Sequence, residues 1–240
     1  MKIVLEILRH PAGTGPGRFE IEARPDERLL DVLVRIARRV DPTLGFRKSC
    51  GHGVCGSDAM VINGRERLAC KTLVKEVAPE GGPAVTVEPL RTLEVRRDLI
   101  VEQEPFFRRY RGVKPYLIAP GPAVGPRERL QSPEERAAID DATNCILCAA
   151  CFSACPVVRE VNPRFLGPAA IVQASRFLED SRDRGFEERL GPLDRPDGVW
   201  PCENRYKCTR VCPRGIQVTK LINLTKRRIT EFKRNKPPSA

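Results

Sequence analysis

Ten cysteines in 240 residues, set in three spaced groups, constrain this chain more than any other feature. They are too few per length for a disulfide scaffold, and in a reducing compartment thiols at such spacings are metal ligands. The middle group, Cys145-x2-Cys148-x2-Cys151-x3-Cys155-Pro156, reproduces the bacterial ferredoxin run, in which three thiolates hold one cubane and the fourth reaches a neighbouring cluster. Zinc is the alternative, but zinc sites pair short Cys knuckles and have no use for four thiolates this close together.

The last group, Cys202-x5-Cys208-x3-Cys212-Pro213, is the same run with Arg205 where a second cysteine would stand. If the connectivity crosses as in two-cluster ferredoxins, Cys145, Cys148, Cys151 and Cys212 form a complete set for [4Fe–4S]. Cys155, Cys202 and Cys208 remain, three thiolates that suit [3Fe–4S]. A non-cysteine ligand completing a second cubane is the weaker alternative, because Arg cannot deprotonate to bind iron.

The first group, Cys50-x4-Cys55-x2-Asp58 followed by Cys70, matches the plant-type [2Fe–2S] pattern with Asp58 in the third ligand position. A carboxylate is a hard donor that binds ferric iron, so we read Asp58 as a ligand; the other reading has it only accept backbone N–H groups. Gly51, Gly53 and Gly56 suit a loop that wraps closely with its N–H groups inward. A Rieske centre is rejected. It needs two histidines, and of the two here His10 ends the first strand while His52 lies in the loop. Three, four and three cysteines account for all ten.

The rest of the chain frames these groups. Residues 3–9 and 19–24 read as strands joined by the loop Pro11 to Gly17, and the period then changes to that of a helix from about Pro25 to Val40. Gly45 to Cys70 reads as a loop and Ala84 to Glu88 as a strand. The Gly/Pro-heavy passage from Gly112 to Pro126 reads as irregular surface chain, and we set a domain boundary before it, near residue 104. Beyond it the pattern is helical: a capping box at Ser132-Pro133-Glu134-Glu135, a segment opened by Gly167-Pro168 and running to about Asp180, and a helix from about Val218 to Phe232. The basic stretch from Lys226 to Lys236 reads as a solvated helix end or as a partner-docking or phosphate-facing surface. The expected architecture is α+β: residues 1–104 as one domain and 105–240 as a helical second.

No apolar run approaches the roughly 20 residues of a membrane span, and MKIVLEILRH is neither a secretory nor a transit leader. We expect a soluble prokaryotic protein. Its formal charge of +11 would suit nucleic acid, but cluster thiolates offset much of that surplus, basic residues are interspersed with acids, and aromatics are only 5%. Neither a G-x-G-x-x-G after a strand nor a Walker loop is present, so flavin or nicotinamide must sit on another subunit. Three clusters on one small chain make an electron wire.

The segments SCGHGVCGSDAMVINGRERLAC, VEPLRTLEVRRDLIV, KPYLI, SPEER, NCILCAACFSACP, NPRFLGPAAIVQASRFLEDSRD and CTRVCPRG together resemble the iron–sulfur subunit of succinate dehydrogenase and fumarate reductase, over nearly the whole chain. The resemblance implies a β-grasp, plant-type ferredoxin-like first domain and an all-α, bacterial-ferredoxin-like second domain. It also implies three partners: a flavoprotein carrying FAD, a membrane anchor of cytochrome b type, and quinone; nucleic acid is not among them. The place implied is the cytoplasmic face of a prokaryotic inner membrane. Electrons would pass from flavin to the site of Cys50, Cys55, Asp58 and Cys70, then to that of Cys145, Cys148, Cys151 and Cys212, and last to that of Cys155, Cys202 and Cys208. Cys or Asp at the position of Asp58 is within the family's pattern.

Two departures bear on the quinone. Ubiquinone-using members carry Trp shortly after the first Cys-Pro and His after the first Cys of the last run, where this chain has Glu160 and Glu203, and the family's small or aliphatic residue is here Arg205. These changes favour menaquinone over ubiquinone, with Pro156, Trp200 and Arg205 as candidate neighbours of the quinone. Trp200 has core or interface packing as its alternative role. A rival redox reading is the electron-transfer subunit of another flavoenzyme, of heterodisulfide-reductase or glycolate-oxidase type, but those generally lack the plant-type first domain.

Overall fold

The computed structural model describes residues 1–10, 16–119, 121 and 128–235. Most of the loop from Pro11 to Gly17, residues 120 and 122–126 of the Gly/Pro passage, and Lys236 lie outside them. The chain forms two compact units, Met1–Pro105 with Ile146–Ala154, and Phe106–Cys145 with Cys155–Ala240.

The first unit is built on a five-stranded sheet, ordered β2-β1-β5-β3-β4, from β1 (Lys2–Leu8), β2 (Pro16–Glu22), β3 (Ala59–Ile62), β4 (Arg65–Leu68) and β5 (Val85–Glu88). Only β1 and β5 pair in parallel; the other neighbours are antiparallel. Alternation puts Ile3, Leu5 and Ile7 of β1 on the buried face. Against that face lies α1 (Leu29–Arg39), which buries Leu29, Leu30, Val32, Leu33 and Ile36 in the same core. The helix begins four residues later than its periodicity suggests. Arg28 is held extended, at ψ 142°, by a bridge to Leu73, so no helical turn can form before Leu29.

β3 and β4 fall in the stretch read from sequence as loop. Asn63 and Gly64 both take positive φ, 47° and 74°, and close a two-residue hairpin between them. After β4 come a 3-10 turn (Ala69–Lys71) carrying Cys70 and the short α2 (Val74–Val77). A two-stranded ribbon of β6 (Val95–Arg97) and β7 (Ile100–Val101) follows. Between its strands, buried Asp98 accepts the N–H groups of His10 at 3.0 Å and Gly45 at 2.8 Å and the Arg9 side chain at 2.9 Å.

Residues 146–154 complete this unit with α5 (Ala150–Ser153), anchored by a buried hydroxyl. Ser153 donates to Glu66 of β4 at 2.9 Å and accepts the Arg91 N–H at 2.9 Å.

Helix α3 (Glu104–Gly112) leads into the second unit, which is helical: α4 (Pro133–Thr143), a π turn (Val157–Val161), α6 (Pro168–Leu178), α7 (Phe186–Leu193), α8 (Lys207–Arg210) and α9 (Val218–Asn235). The capping box at Ser132 forms as expected, with both reciprocal bonds to Glu135. Helix α6 is its most buried element, with ten of its residues buried, and both α4 and α9 pack on it. A fully buried Arg189 on α7 pairs with Asp183 at 2.7 Å and donates to the carbonyls of Lys114 and Tyr116, while its guanidinium lies 5.0 Å from the Phe177 ring centroid. That single side chain ties the irregular stretch after α3 to the helices.

The architecture is therefore mixed α+β, a small β-grasp sheet domain followed by a helical ferredoxin-like region.

Candidate metal centres

In the first unit the ligand candidates sit on one loop and the 3-10 turn that follows the β3–β4 hairpin. Gly51, Gly53 and Gly56 all take positive φ, between 67° and 75°, and so bend the loop back on itself. A Cβ on Gly53 would come within 2.7 Å of the Lys71 side chain, so the turn is closed as tightly as glycine allows. Arg28, ahead of α1, fixes the loop by donating from Nη1 to the Gly51 carbonyl at 2.7 Å while its Nε and Nη2 hold Asp31.

The Cys50 and Cys55 sulfurs lie 3.1 Å apart, beyond disulfide bonding, and the His52 N–H points at Cys50 Sγ from 3.3 Å. That N–H, with Cys55 and the Val54 N–H, holds the Cys50 thiol down to about 6. Cys70 is the opposite case. Burial, with the Asp58 carboxylate hydrogen-bonded beside it, pushes its thiol up to about 12. A thiolate at such a site persists only against positive charge.

Asp58 is 2% exposed. Its Oδ2 accepts the Cys70 N–H at 2.5 Å, which is the role its second reading gave it, yet its Oδ1 is buried with no hydrogen-bond partner. A buried carboxylate oxygen without a hydrogen-bond partner, beside a buried cysteine, suits a hard donor to ferric iron. The donor set of three sulfurs and one oxygen fits a [2Fe–2S] cluster.

Two cysteines of the middle group, Cys148 and Cys151, belong to the first unit, whereas Cys145, Cys155 and Cys212 belong to the second. Cys148 packs on the first loop. A Cβ added to Gly56 would lie 2.6 Å from the Cys148 Cβ and 2.9 Å from its Cα, so the backbone beside Cys55 and the backbone carrying Cys148 touch.

Within the second unit Cys155 and Cys208 are buried and Cys202 is half-buried. Burial pushes the Cys155 thiol up to about 11, and Cys208 and Cys202 lie near enough to add to the rise. Burial raises the Cys155 and Cys208 thiols alike, and the nearness of Cys202 to both suits a shared metal centre. Sequence reasoning missed the groups of α9 around them. Thr219 places its hydroxyl 3.5 Å from Cys208 Sγ, and Lys226, two turns on, donates to the Cys202 carbonyl at 2.9 Å. No local pattern marks these residues, because tertiary packing of α8 and α9 makes them neighbours.

Among the quinone candidates, half-buried Pro156 precedes the π turn. Trp200 is 38% exposed, donates from Nε1 to Asp194 at 2.9 Å and lies under the Lys233 ammonium. Arg205 is exposed and paired with Glu203 at 2.8 Å.

Residues 11–108 match a family described as a 2Fe-2S iron-sulfur cluster binding domain, and residues 141–216 match one described as a 4Fe-4S dicluster domain. The chain is 42% identical over 204 residues to the succinate dehydrogenase iron-sulfur subunit of Coxiella burnetii, covering 85% of this chain and 84% of that one. It is 40% identical over 227 residues to the fumarate reductase iron-sulfur subunit of Mycobacterium tuberculosis, covering 90% and 87%. Among solved structures, a chain of the Mycobacterium smegmatis Sdh1 complex in the apo form aligns with a TM-score of 0.87 at 28% identity, over 99% of both chains. Both cluster-binding regions and nearly the full length are thereby matched, and the chain belongs to the family of succinate dehydrogenase and fumarate reductase iron–sulfur subunits, the electron-transfer subunits of complex II.

Proposed function

We propose that the chain carries electrons singly from the FAD of a flavoprotein subunit to quinone at a cytochrome b-type membrane anchor, as the iron–sulfur subunit of a succinate:quinone oxidoreductase. In this reading Cys50, Cys55, Asp58 and Cys70 hold [2Fe–2S], Cys145, Cys148, Cys151 and Cys212 hold [4Fe–4S], and Cys155, Cys202 and Cys208 hold [3Fe–4S]. Each such centre, once bound, takes up and releases one electron. The chain's part is to fix the ligands, exclude water and bring successive sites close. The observation that carries the reading is the contact of Gly56 with Cys148, which leaves no side chain between the first ligand loop and a cysteine of the second set.

Among the described residues no helix is long and apolar enough to cross a membrane; in this reading a partner anchor supplies membrane attachment. We place the chain at the cytoplasmic face of a prokaryotic inner membrane. In sequence we assign 1–104 to the first centre and 105–240 to the other two, although residues 146–154 of the latter pack within the first unit. Glu160 and Glu203, where ubiquinone-using members carry aromatic and imidazole side chains, support menaquinone as acceptor near Pro156, Trp200 and Arg205. One relative is a fumarate reductase subunit, and the same wire run backwards would serve that reaction.

The test is purification from native membranes. Co-purification of a flavoprotein and an anchor, extraction of menaquinone and reduction of the complex by succinate are expected. A chain recovered alone, with metal centres that succinate cannot reduce, would overturn the reading.

A further inference from the structure

We propose that the Thr219 hydroxyl, aimed by Thr209, donates a hydrogen bond to the Cys208 sulfur and thereby raises the reduction potential of the centre Cys208 holds. This rests on the ligand reading above for Cys155, Cys202 and Cys208.

The geometry is a closed set of donors. Thr219 opens α9 and is 1% exposed, so water does not compete for its hydroxyl. Its Oγ1 lies 3.5 Å from Cys208 Sγ and 3.0 Å from Thr209 Oγ1. Its own backbone N–H donates to Thr209 Oγ1 at 3.0 Å. A ligating thiolate has no proton and can only accept. The Thr219 O–H must therefore point at Sγ, and the Thr209–Thr219 contact then has Thr209 as donor. The backbone N–H and the side chain of Thr209 also act on the same sulfur, so Cys208 faces a group of donors rather than one chance neighbour.

The direction of the effect follows from charge. Reduction adds negative charge that is shared by the ligand sulfurs, and a donor on one of them stabilises the reduced form more than the oxidised form. Burial makes this bond count, because Cys208 is 8% exposed and water screens it little. In a series of centres, the last must sit high enough to draw electrons from the one before it. Thr219 acts as a positioning residue that supplies part of that drop through Cys208.

The experiment is a potentiometric titration of the complete complex, followed by electron paramagnetic resonance of the centre at Cys155, Cys202 and Cys208. Thr219→Val keeps the shape of the side chain and removes the donor; the expected result is a full signal that titrates at a lower potential than native. Thr219→Ser restores the hydroxyl and should titrate with the native complex. Thr219→Ala removes the same donor without the branched side chain and replaces valine as the deciding variant if valine lowers metal content. A native potential in a fully loaded donor-less variant would overturn the inference and leave the ligand reading standing. Absence of the signal from the native complex would instead overturn the ligand reading itself.

Discussion

Asp58 carries the sharpest chemistry of any single residue here, because one of its oxygens is spoken for by the Cys70 N–H and the other has no partner. Asp58→Cys is expected to retain the first centre and shift its potential, since a thiolate donates more charge than a carboxylate. Asp58→Ala should lower iron content at that centre, measured by iron analysis and visible spectra; unchanged content, potential and spectrum would remove Asp58 from the ligand set. Gly56 makes a second prediction at this scale. It combines positive φ with backbone contact to Cys148, so Gly56→Ala should cost about 1–3 kcal/mol in the unfolding midpoint of the first unit. The ten cysteines and Asp58 can be proposed as ligands from sequence because ligand spacing is a property of sequence. Thr219 and Lys226 were not, because their closeness to Cys208 and Cys202 exists only after α9 packs.

Elements were legible in proportion to how local their signals are. The capping box at Ser132 and the Gly-Pro opening of α6 formed where the sequence placed them, since the bonds that define them span a few residues. β3 and β4 were hidden by the glycines around the ligand loop, although Asn63-Gly64 between AMVI and RERL is itself a hairpin signal. Nor does any periodicity announce that residues 146–154 join the first unit, which Ser153 and Glu66 secure by a contact 87 positions apart. Buried Arg189 was equally invisible, because charge on a helix ordinarily marks its solvent face. Arg189→Ala should lose about 3–5 kcal/mol in denaturant unfolding of the second unit, since it leaves Asp183 buried without a counter-ion. Ahead of α8 the substitution of interest is Arg205→Cys. Arg205 is exposed and held by Glu203, so its loss costs little packing, while a thiol there restores the fourth position of the ferredoxin run. The expected outcome is gain of iron at the last site, loss of the oxidised paramagnetic signal and slower quinone reduction.

At the scale of the whole molecule, two units with thiols buried in both cannot be indifferent to metal. Cys70 and Cys155, whose thiols burial pushes up to about 12 and about 11, favour the protonated form without a positive centre, so loading and folding are coupled. The isolated chain should accordingly lose structure on chelation, with the second unit, which has no sheet among its described residues, melting first in circular dichroism. Recovery of a stable, fully loaded monomer in air would argue against a subunit that depends on partners. If one chain holds three centres of different ligand sets in series, a redox titration of the purified complex followed by electron paramagnetic resonance should resolve three separable one-electron signals, of which only the one from the site of Cys155, Cys202 and Cys208 is present in the oxidised state. Fewer than three cycling centres, or an oxidised complex with no paramagnetic signal, would contradict it.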